Sequence, residues 1–439
     1  MKQYAVISAP VDTYSGYGAR ARDFIKAVYE LKKEEWELVV LPQRWGGTPW
    51  GYLEDHKDEW GWMIPLLNKT NQLRQQPDFW CQITIPNEFQ AVGKFNLGVT
   101  AGIETTVCHP TWIEGLNRMD MNLVSSEHGK KVFVESSFQE QNQQGQTVKE
   151  IKLQKPVEVL FEGADLNTYF FIDDEKDPSD MEQTDLVESL DSIKEEFCFL
   201  FVGHWIQGDL GEDRKNVGLT IKTFLETFKN KKTKPALILK TSGGSASIID
   251  RNDILAKIES VKQLVNSNDL PNIYLIHGDF HDKDMNNLYN HHKVKAMISL
   301  TKGEGYGRPL LEFTFSKKPV IVSHWSGHLD FLSEDFVTMI EGEIKPIHAS
   351  SLVEGILIQE SSWFEANLKQ VQTVLEDMYT NYKKYKEKAK QQAQYSKTRF
   401  SFDGMKAVLL KYLDLTPKQM QLKLPTLKKI ELPKLKKIE

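Results

Sequence analysis

The chain is 439 residues long and has little cysteine. Its three, Cys81, Cys108 and Cys198, stand far apart. That excludes a disulfide framework and a CxxC metal site. It has no run of roughly 18 apolar residues, so no segment is expected to span a membrane. It has no excess of positive charge. Fifty-five Lys and Arg face 61 Asp and Glu, a net charge of −6. A protein that coats nucleic acid along its whole surface is therefore excluded. The apolar stretch within residues 1–10 is too short for a signal-peptide core and reads as a first β-strand. The expectation is a soluble, cytoplasmic enzyme or binding protein. Hydrophobic residues make up 40% and charged residues 26%, enough for a sizeable core. The length suggests two domains at about 100–200 residues each.

Strands and helices alternate along the chain. Strands are expected at 4–9, 37–41, 95–101, 121–125 and 157–161. A helix is expected over 19–32, with Phe24, Val28 and Leu31 on one face. The stretch 173–196 is strongly acidic and reads as a linker or surface excursion. Alternation restarts with Phe197-Cys198-Phe199-Leu200-Phe201-Val202-Gly203, the form of a buried parallel strand. Later strands are expected at 236–239, 273–277, 296–300 and 320–322. The fold class is therefore α/β: two doubly wound, Rossmann-like domains facing across a cleft. The domains are expected at 1–170 and 197–361, with the acidic linker at 171–196. Helices over 362–415 are expected to pack back toward the first domain. The end of the chain, 416–439, repeats a basic octad, Leu424-Pro425-Thr426-Leu427-Lys428-Lys429-Ile430-Glu431 and its copy. Proline every eight residues forbids a continuous helix there.

In such sheets ligands bind beyond the carboxyl ends of the strands. Three blocks with suitable chemistry occupy those places. Gly303-Glu304-Gly305-Tyr306-Gly307-Arg308-Pro309-Leu310-Leu311-Glu312 follows one strand and opens a helix. Its glycines let backbone approach a ligand, and its carboxylates suit sugar hydroxyls; the plain alternative is a Gly-rich turn with solvated glutamates. Val202-Gly203-His204, then Asp213-Arg214-Lys215-Asn216, follows another strand. Two cations there can neutralise a diphosphate, or simply form an exposed basic turn. Ser15-Gly16-Tyr17-Gly18-Ala19-Arg20 follows the first strand, but lacks the third glycine of a dinucleotide fingerprint.

Taken together the chain resembles the GT-B glycosyltransferases of the large retaining family usually numbered four, including a bacteriophage branch. Glu304-x7-Glu312 matches that family's E-x7-E signature. Lys317-Lys318-Pro319-Val320-Ile321-Val322 and Trp325-Ser326-Gly327 match the strand and loop that follow. Arg214-Lys215-Asn216 matches the diphosphate-binding turn, and Glu162-Gly163-Ala164-Asp165 the element closing the N-terminal domain. Ile103-Glu104-Thr105-Thr106, with Asn117 and Ser125-Ser126-Glu127, matches the "ETT…LN…SE" stretch of one branch. The resemblance implies a nucleotide-sugar donor with a UDP or GDP base. Arg214 and Lys215 would hold its diphosphate and Glu312 its ribose. Glu304 and the backbone at Gly305, Tyr306 and Gly307 would contact the sugar. Gly16 and Gly18 would line the opposite wall, and Glu104, backed by His109, would be the polar residue of the N-terminal domain. Relatives often carry Arg where this chain has His204, which weakens the local diphosphate contact or transfers it to Lys240.

The resemblance further implies retention by same-face attack, with no metal and no cofactor. The acceptor stays open between a glycan and a hydroxylated base in DNA, and a catalytically idle binding module is the alternative. Trp45, Trp50, Trp60, Trp62 and Trp80 are dense. Trp45 and Trp50 sit in a polar Gly-rich stretch and suit an acceptor platform, while core packing is the plainer use. His281, His291 and His292 suggest a metal site, but adjacent histidines diverge on a helix, so none is expected. Asp282 is expected to cap the helix holding Met285 and Leu288. The basic tail either is solvated or docks on a partner or acidic polymer.

Overall fold

The computed structural model describes residues 2–70, 72–141, 144, 147–173, 181–206 and 208–414. The octad tail expected at 416–439 and part of the acidic stretch lie outside the described residues.

The first sheet is built from β1 (Gln3–Ala9), β2 (Trp36–Pro42), β3 (Phe79–Ile83), β4 (Phe95–Thr100), β5 (Met121–Val124) and β8 (Val157–Val159). A β6 (Ser137–Gln141) and β7 (Thr147–Lys152) hairpin interrupts it. The strand order is β2-β1-β3-β4-β5-β8, and every pair is parallel. Its helices are α1 (Gly16–Lys32), α2 (Tyr52–Asp55), α3 (Lys57–Trp60), α4 (Pro110–Arg118) and α5 (Glu127–Glu135). The order reverses between β1 and β3.

After α6 (Asp185–Asp191) the second sheet takes β9 (Cys198–Val202), β10 (Ala236–Lys240), β11 (Ile273–Ile276), β12 (Val294–Ser299), β13 (Val320–Ser323) and β14 (Thr338–Ile340). Their order is β11-β10-β9-β12-β13-β14, again all parallel. Helices α7 (Val217–Phe228), α8 (Ile248–Gln263), α9 (Asp282–Asn290) and α10 (Arg308–Thr314) connect these strands. Here the order reverses between β9 and β12. The central strand β9 explains itself: Cys198, Phe199, Leu200 and Phe201 are wholly buried, because helices cover both faces.

The chain then forms a β15 (Gly342–Pro346) and β16 (Ser362–Ala366) antiparallel hairpin. Three helices end the described fold: α11 (Leu368–Thr380), α12 (Tyr382–Arg399) and α13 (Phe402–Leu413). The helical reading from 362 was thus too early, because Ser362–Ala366 pairs as a strand. The acidic stretch is also more than an excursion. Leu186, Leu190 and Ile193 lie at helical spacing and join the second core. Strand β3 escaped the sequence reading; all five of its residues are buried.

The chain crosses between the domains twice, side by side. The Ala164 N–H donates to Phe400 C=O at 3.0 Å, and the Phe402 N–H returns to Ala164 C=O at 2.8 Å. The element Glu162-Gly163-Ala164-Asp165 therefore builds the hinge. Ser125 Oγ donates to Glu162 at 2.9 Å, and Lys26 pairs with Asp165 at 2.9 Å. Beyond the hinge, α13 adds Phe402, Met405 and Leu409 to the core of the first domain. Leu409→Ala should cost about 2–5 kcal/mol through the cavity it leaves. Urea unfolding checks this, and an unchanged midpoint would mean that α13 does not hold the first domain.

Candidate active site

The loops after β4 and β12 meet between the two domains. A Cβ on Gly303 would lie 2.1 Å from the Glu104 carbonyl oxygen. Only glycine lets these two backbones approach so closely. Gly307 is needed for a different reason: its φ of 96° opens α10 from the left-handed region. The Lys302 N–H donates to Arg214 C=O at 2.8 Å, binding the β12 loop to the β9 loop.

Four charges converge at this junction. Lys215 Nζ is 2.5 Å from Glu304 Oε1. Arg214 Nη1 is 3.4 Å from Glu304 Oε2, 3.2 Å from Glu104 Oε1 and 2.9 Å from Gly303 C=O. The Glu304 N–H donates to Ser326 Oγ at 2.8 Å. Burial alone would push the Glu304 carboxyl up, but Lys215 and Arg214 overcome it and hold its pKa at about 2. The carboxylate is thus ionised at neutral pH. Arg214 bridges the domains, since Glu104 belongs to the first and Glu304 to the second.

A second bridge lies beside the first. Arg308 Nε is 2.8 Å from Glu312 Oε1, and its Nη1 pairs with Asp23 of α1. Burial pushes Glu312 up to about 7, with Arg308 opposing and Asp282 adding to the rise. Tyr289 Oη donates to the same carboxyl at 3.4 Å.

No protein-family model matches the chain, and no curated protein sequence does. Solved structures do. A glycosyltransferase from Rickettsia africae is similar over 96% of this chain and 99% of its own, at 14% identity and a TM-score of 0.59. HepE from Anabaena, solved with UDP and glucose, is similar over 94% and 99%, at 11% identity and a TM-score of 0.61. Sucrose-phosphate synthase from Thermosynechococcus elongatus is similar over 94% and 98%, at 12% identity and a TM-score of 0.56. The fold is GT-B.

Within this GT-B crevice the four residues expected to be catalytic, Glu104, Arg214, Lys215 and Glu304, come together. The other expected residues spread around them. His204 is exposed at the mouth, its Nδ1 3.1 Å from Ser242 Oγ. The protein crowded around its ring, then Lys215, Lys240 and Arg214, push its imidazole toward the neutral form. Lys240 ends β10 and donates to Gly278 C=O at 2.8 Å. Tyr306 turns its ring inward onto Phe331, centroids 4.9 Å apart. That leaves the backbone of Gly305–Gly307 toward the loop of the first domain, where a Cβ on Gly305 would meet Ala101 C=O at 2.7 Å.

On the opposite wall Gly16 has open space around it, whereas a Cβ on Gly18 would meet Thr13 C=O at 2.4 Å. Gly18 therefore serves packing, and its N–H is already taken by the N-cap Ser15 at 2.9 Å. His109 likewise caps α4, accepting from the Thr111 N–H at 3.2 Å. The N-terminus of α7 is filled by Asp213, which accepts from the Val217 N–H at 3.0 Å. Among the tryptophans, Trp60 and Trp80 are core, Trp45 stacks on Tyr17 at 3.9 Å, and Trp50 is 39% exposed.

Two details of the sequence reading change. Asp282 is the first residue of α9, not its cap; His281 holds the cap position, and Asp282 accepts from Tyr169 Oη at 3.0 Å. His291 and His292 follow the end of α9 and stack at 4.6 Å instead of diverging, next to Asp191.

The sequence reading missed Asp23, and it missed His128 and His328 near Trp325 and the loop beyond β13. His128 and Trp325 meet edge-on at 5.0 Å, and burial followed by His328 takes His128 down to about 4. The only signal of these two histidines in the sequence was position after a strand.

Lys215→Met would leave the Glu304 carboxylate buried with half its counter-charge. The expected loss is about 3–5 kcal/mol near neutral pH. A carboxylate depressed from 4.5 to about 2 stabilises the fold above 4.5 and loses that contribution as pH falls toward 2. The gap between wild type and variant should therefore narrow below pH 4.5. Equal urea midpoints at neutral pH would contradict the pairing.

Proposed function

We propose that the chain transfers a sugar, with retention, from a UDP- or GDP-sugar to a hydroxyl acceptor, without a metal. The observation that carries this reading is the convergence of Arg214 and Lys215 with Glu304 and Glu104 where two GT-B sheets face. HepE, solved with UDP and glucose, makes uridine nucleotides the first donors to test.

The chemistry follows from where charge develops. The bond between the anomeric carbon and the diphosphate oxygen breaks, and negative charge grows on that oxygen. Arg214 and Lys215, exchanging carboxylate partners for phosphate, neutralise it. Glu304 is then free to face the sugar, whose anomeric carbon becomes positive. The acceptor oxygen attacks on the face the diphosphate leaves, and its proton passes to the departing phosphate oxygen. No protein nucleophile is required. Glu312 accepts hydrogen bonds from the ribose once Arg308 yields them, and His204 and Lys240 line the diphosphate approach. The acceptor enters from the first domain, where Trp45 and Trp50 leave aromatic surface within reach of solvent. Those rings suit a glycan or a hydroxylated pyrimidine of DNA, and reactions with each acceptor distinguish them.

Glu304→Ala should lower turnover by roughly 100- to 1,000-fold while the fold survives. Nucleotide affinity should rise as pH rises through about 7, because the ribose needs an ionised Glu312. Glu312→Gln should flatten that slope. Calorimetric titration with UDP and GDP checks both the base and the slope. Binding of neither nucleotide would favour an idle GT-B binding module.

A further inference from the structure

Three lysines gather beside the hinge. A cavity of about 340 Å³ opens where the outgoing linker, the end of α10 and the returning helix α12 meet. Lys317, Lys390 and Lys397 line it together with Phe170, Phe171 and Gln394. Phe170 and Phe171 are 46% and 37% exposed, unusual for rings outside a core. Lys317 Nζ sits 3.8 Å above the Phe171 ring.

Three ammonium groups repel across so small a space. The Lys317 ammonium is pushed toward neutrality by burial and by Lys390 and Lys397, against the pull of Asp173. Lys390 has a partial partner in Glu387, at 2.8 Å on the exposed face of α12. Among the described residues no carboxylate is within ion-pair distance of Lys317 or Lys397. Lys317 also holds a left-handed φ of 59°, which turns it out of the α10 terminus at the cavity wall.

We propose that this hinge cavity binds a small phosphomonoester. Its dianion meets Lys317, Lys390 and Lys397, and its ring lies on Phe170 and Phe171. Lysines act as point charges toward phosphate, aromatic faces carry rings, and the volume matches a compact ligand. The site is separate from the crevice. It is joined to it by α10, which starts at Arg308 beside Glu312 and ends beside Lys317. A ligand here would clasp both interdomain crossings and one end of the helix that carries Glu312.

The test is calorimetric titration of the full chain with a hexose 6-phosphate and with inorganic phosphate. The variant is Lys390→Glu with Lys397→Glu, both on the exposed side of a helix and outside the crevice. The hexose phosphate should bind more tightly than inorganic phosphate, and the variant should bind it roughly tenfold or more weakly. UDP titrated into the same two samples reports the crevice and should not distinguish them, so failure of one site is separable from failure of the other. No binding of the hexose phosphate at millimolar concentration, or equal binding by wild type and variant, overturns the proposal. Equal affinity for inorganic phosphate and the hexose phosphate overturns the role given to the two rings.

Discussion

The buried contact of Lys215 and Arg214 with Glu304 is the constraint on which the crevice depends. Removing charges from water costs several kcal/mol per ion unless each is paired and hydrogen-bonded. The chain meets that cost by bringing two strand ends of one sheet together and adding a carboxylate from the other domain. Arg214 reaches Glu104 at 3.2 Å and Glu304 at 3.4 Å. The cluster is neutral overall, so it is stable without a ligand. On the proposed function, an arriving diphosphate would replace carboxylates as the partner of the same two cations.

Closure of the two domains rests on a few further polar ties. Asp23 reaches Arg308 from α1, and Asp330 accepts from the Glu127 N–H at 2.8 Å. Ser362 and Thr106 exchange hydrogen bonds at 2.9 Å, and Trp112 Nε1 donates to Gly355 C=O at 2.9 Å. Most such contacts are polar and local, joined by Ile356 and Leu357, which pack on the apolar residues of the first domain, while each domain has its own apolar core. The hinge at Ala164 and Ser401 is the place where the chain itself connects them. Motion of one domain against the other therefore breaks hydrogen bonds, ion pairs and the packing of Ile356 and Leu357, but spares most of each core.

Much of this was legible in the sequence for a simple reason. Buried parallel strands are short apolar runs, and loops at their carboxyl ends carry the chemistry. Glu304 stands just after such a run, and Arg214, Lys215 and Glu312 lie in the loop or helix that follows one, so position and residue type agreed. The Asp23–Arg308 tie was not legible, because 285 residues separate its partners. Strand β3 was hidden because Gln82 interrupts its short apolar run, although Gln82 is buried. Gly18 and His109 looked like ligand contacts in sequence. The structure gives them packing and capping work, since a helix start selects glycine and polar side chains for its own backbone.

On the proposed function, Arg214 and Lys215 hold the donor diphosphate. The direct measurement is the difference in affinity between UDP and uridine, in wild type and in Lys215→Ala. The cation pair predicts that UDP binds far more tightly than uridine. It also predicts that Lys215→Ala removes roughly tenfold or more of that advantage while leaving uridine unchanged. Equal affinity for UDP and uridine, or a variant that weakens both alike, would contradict it.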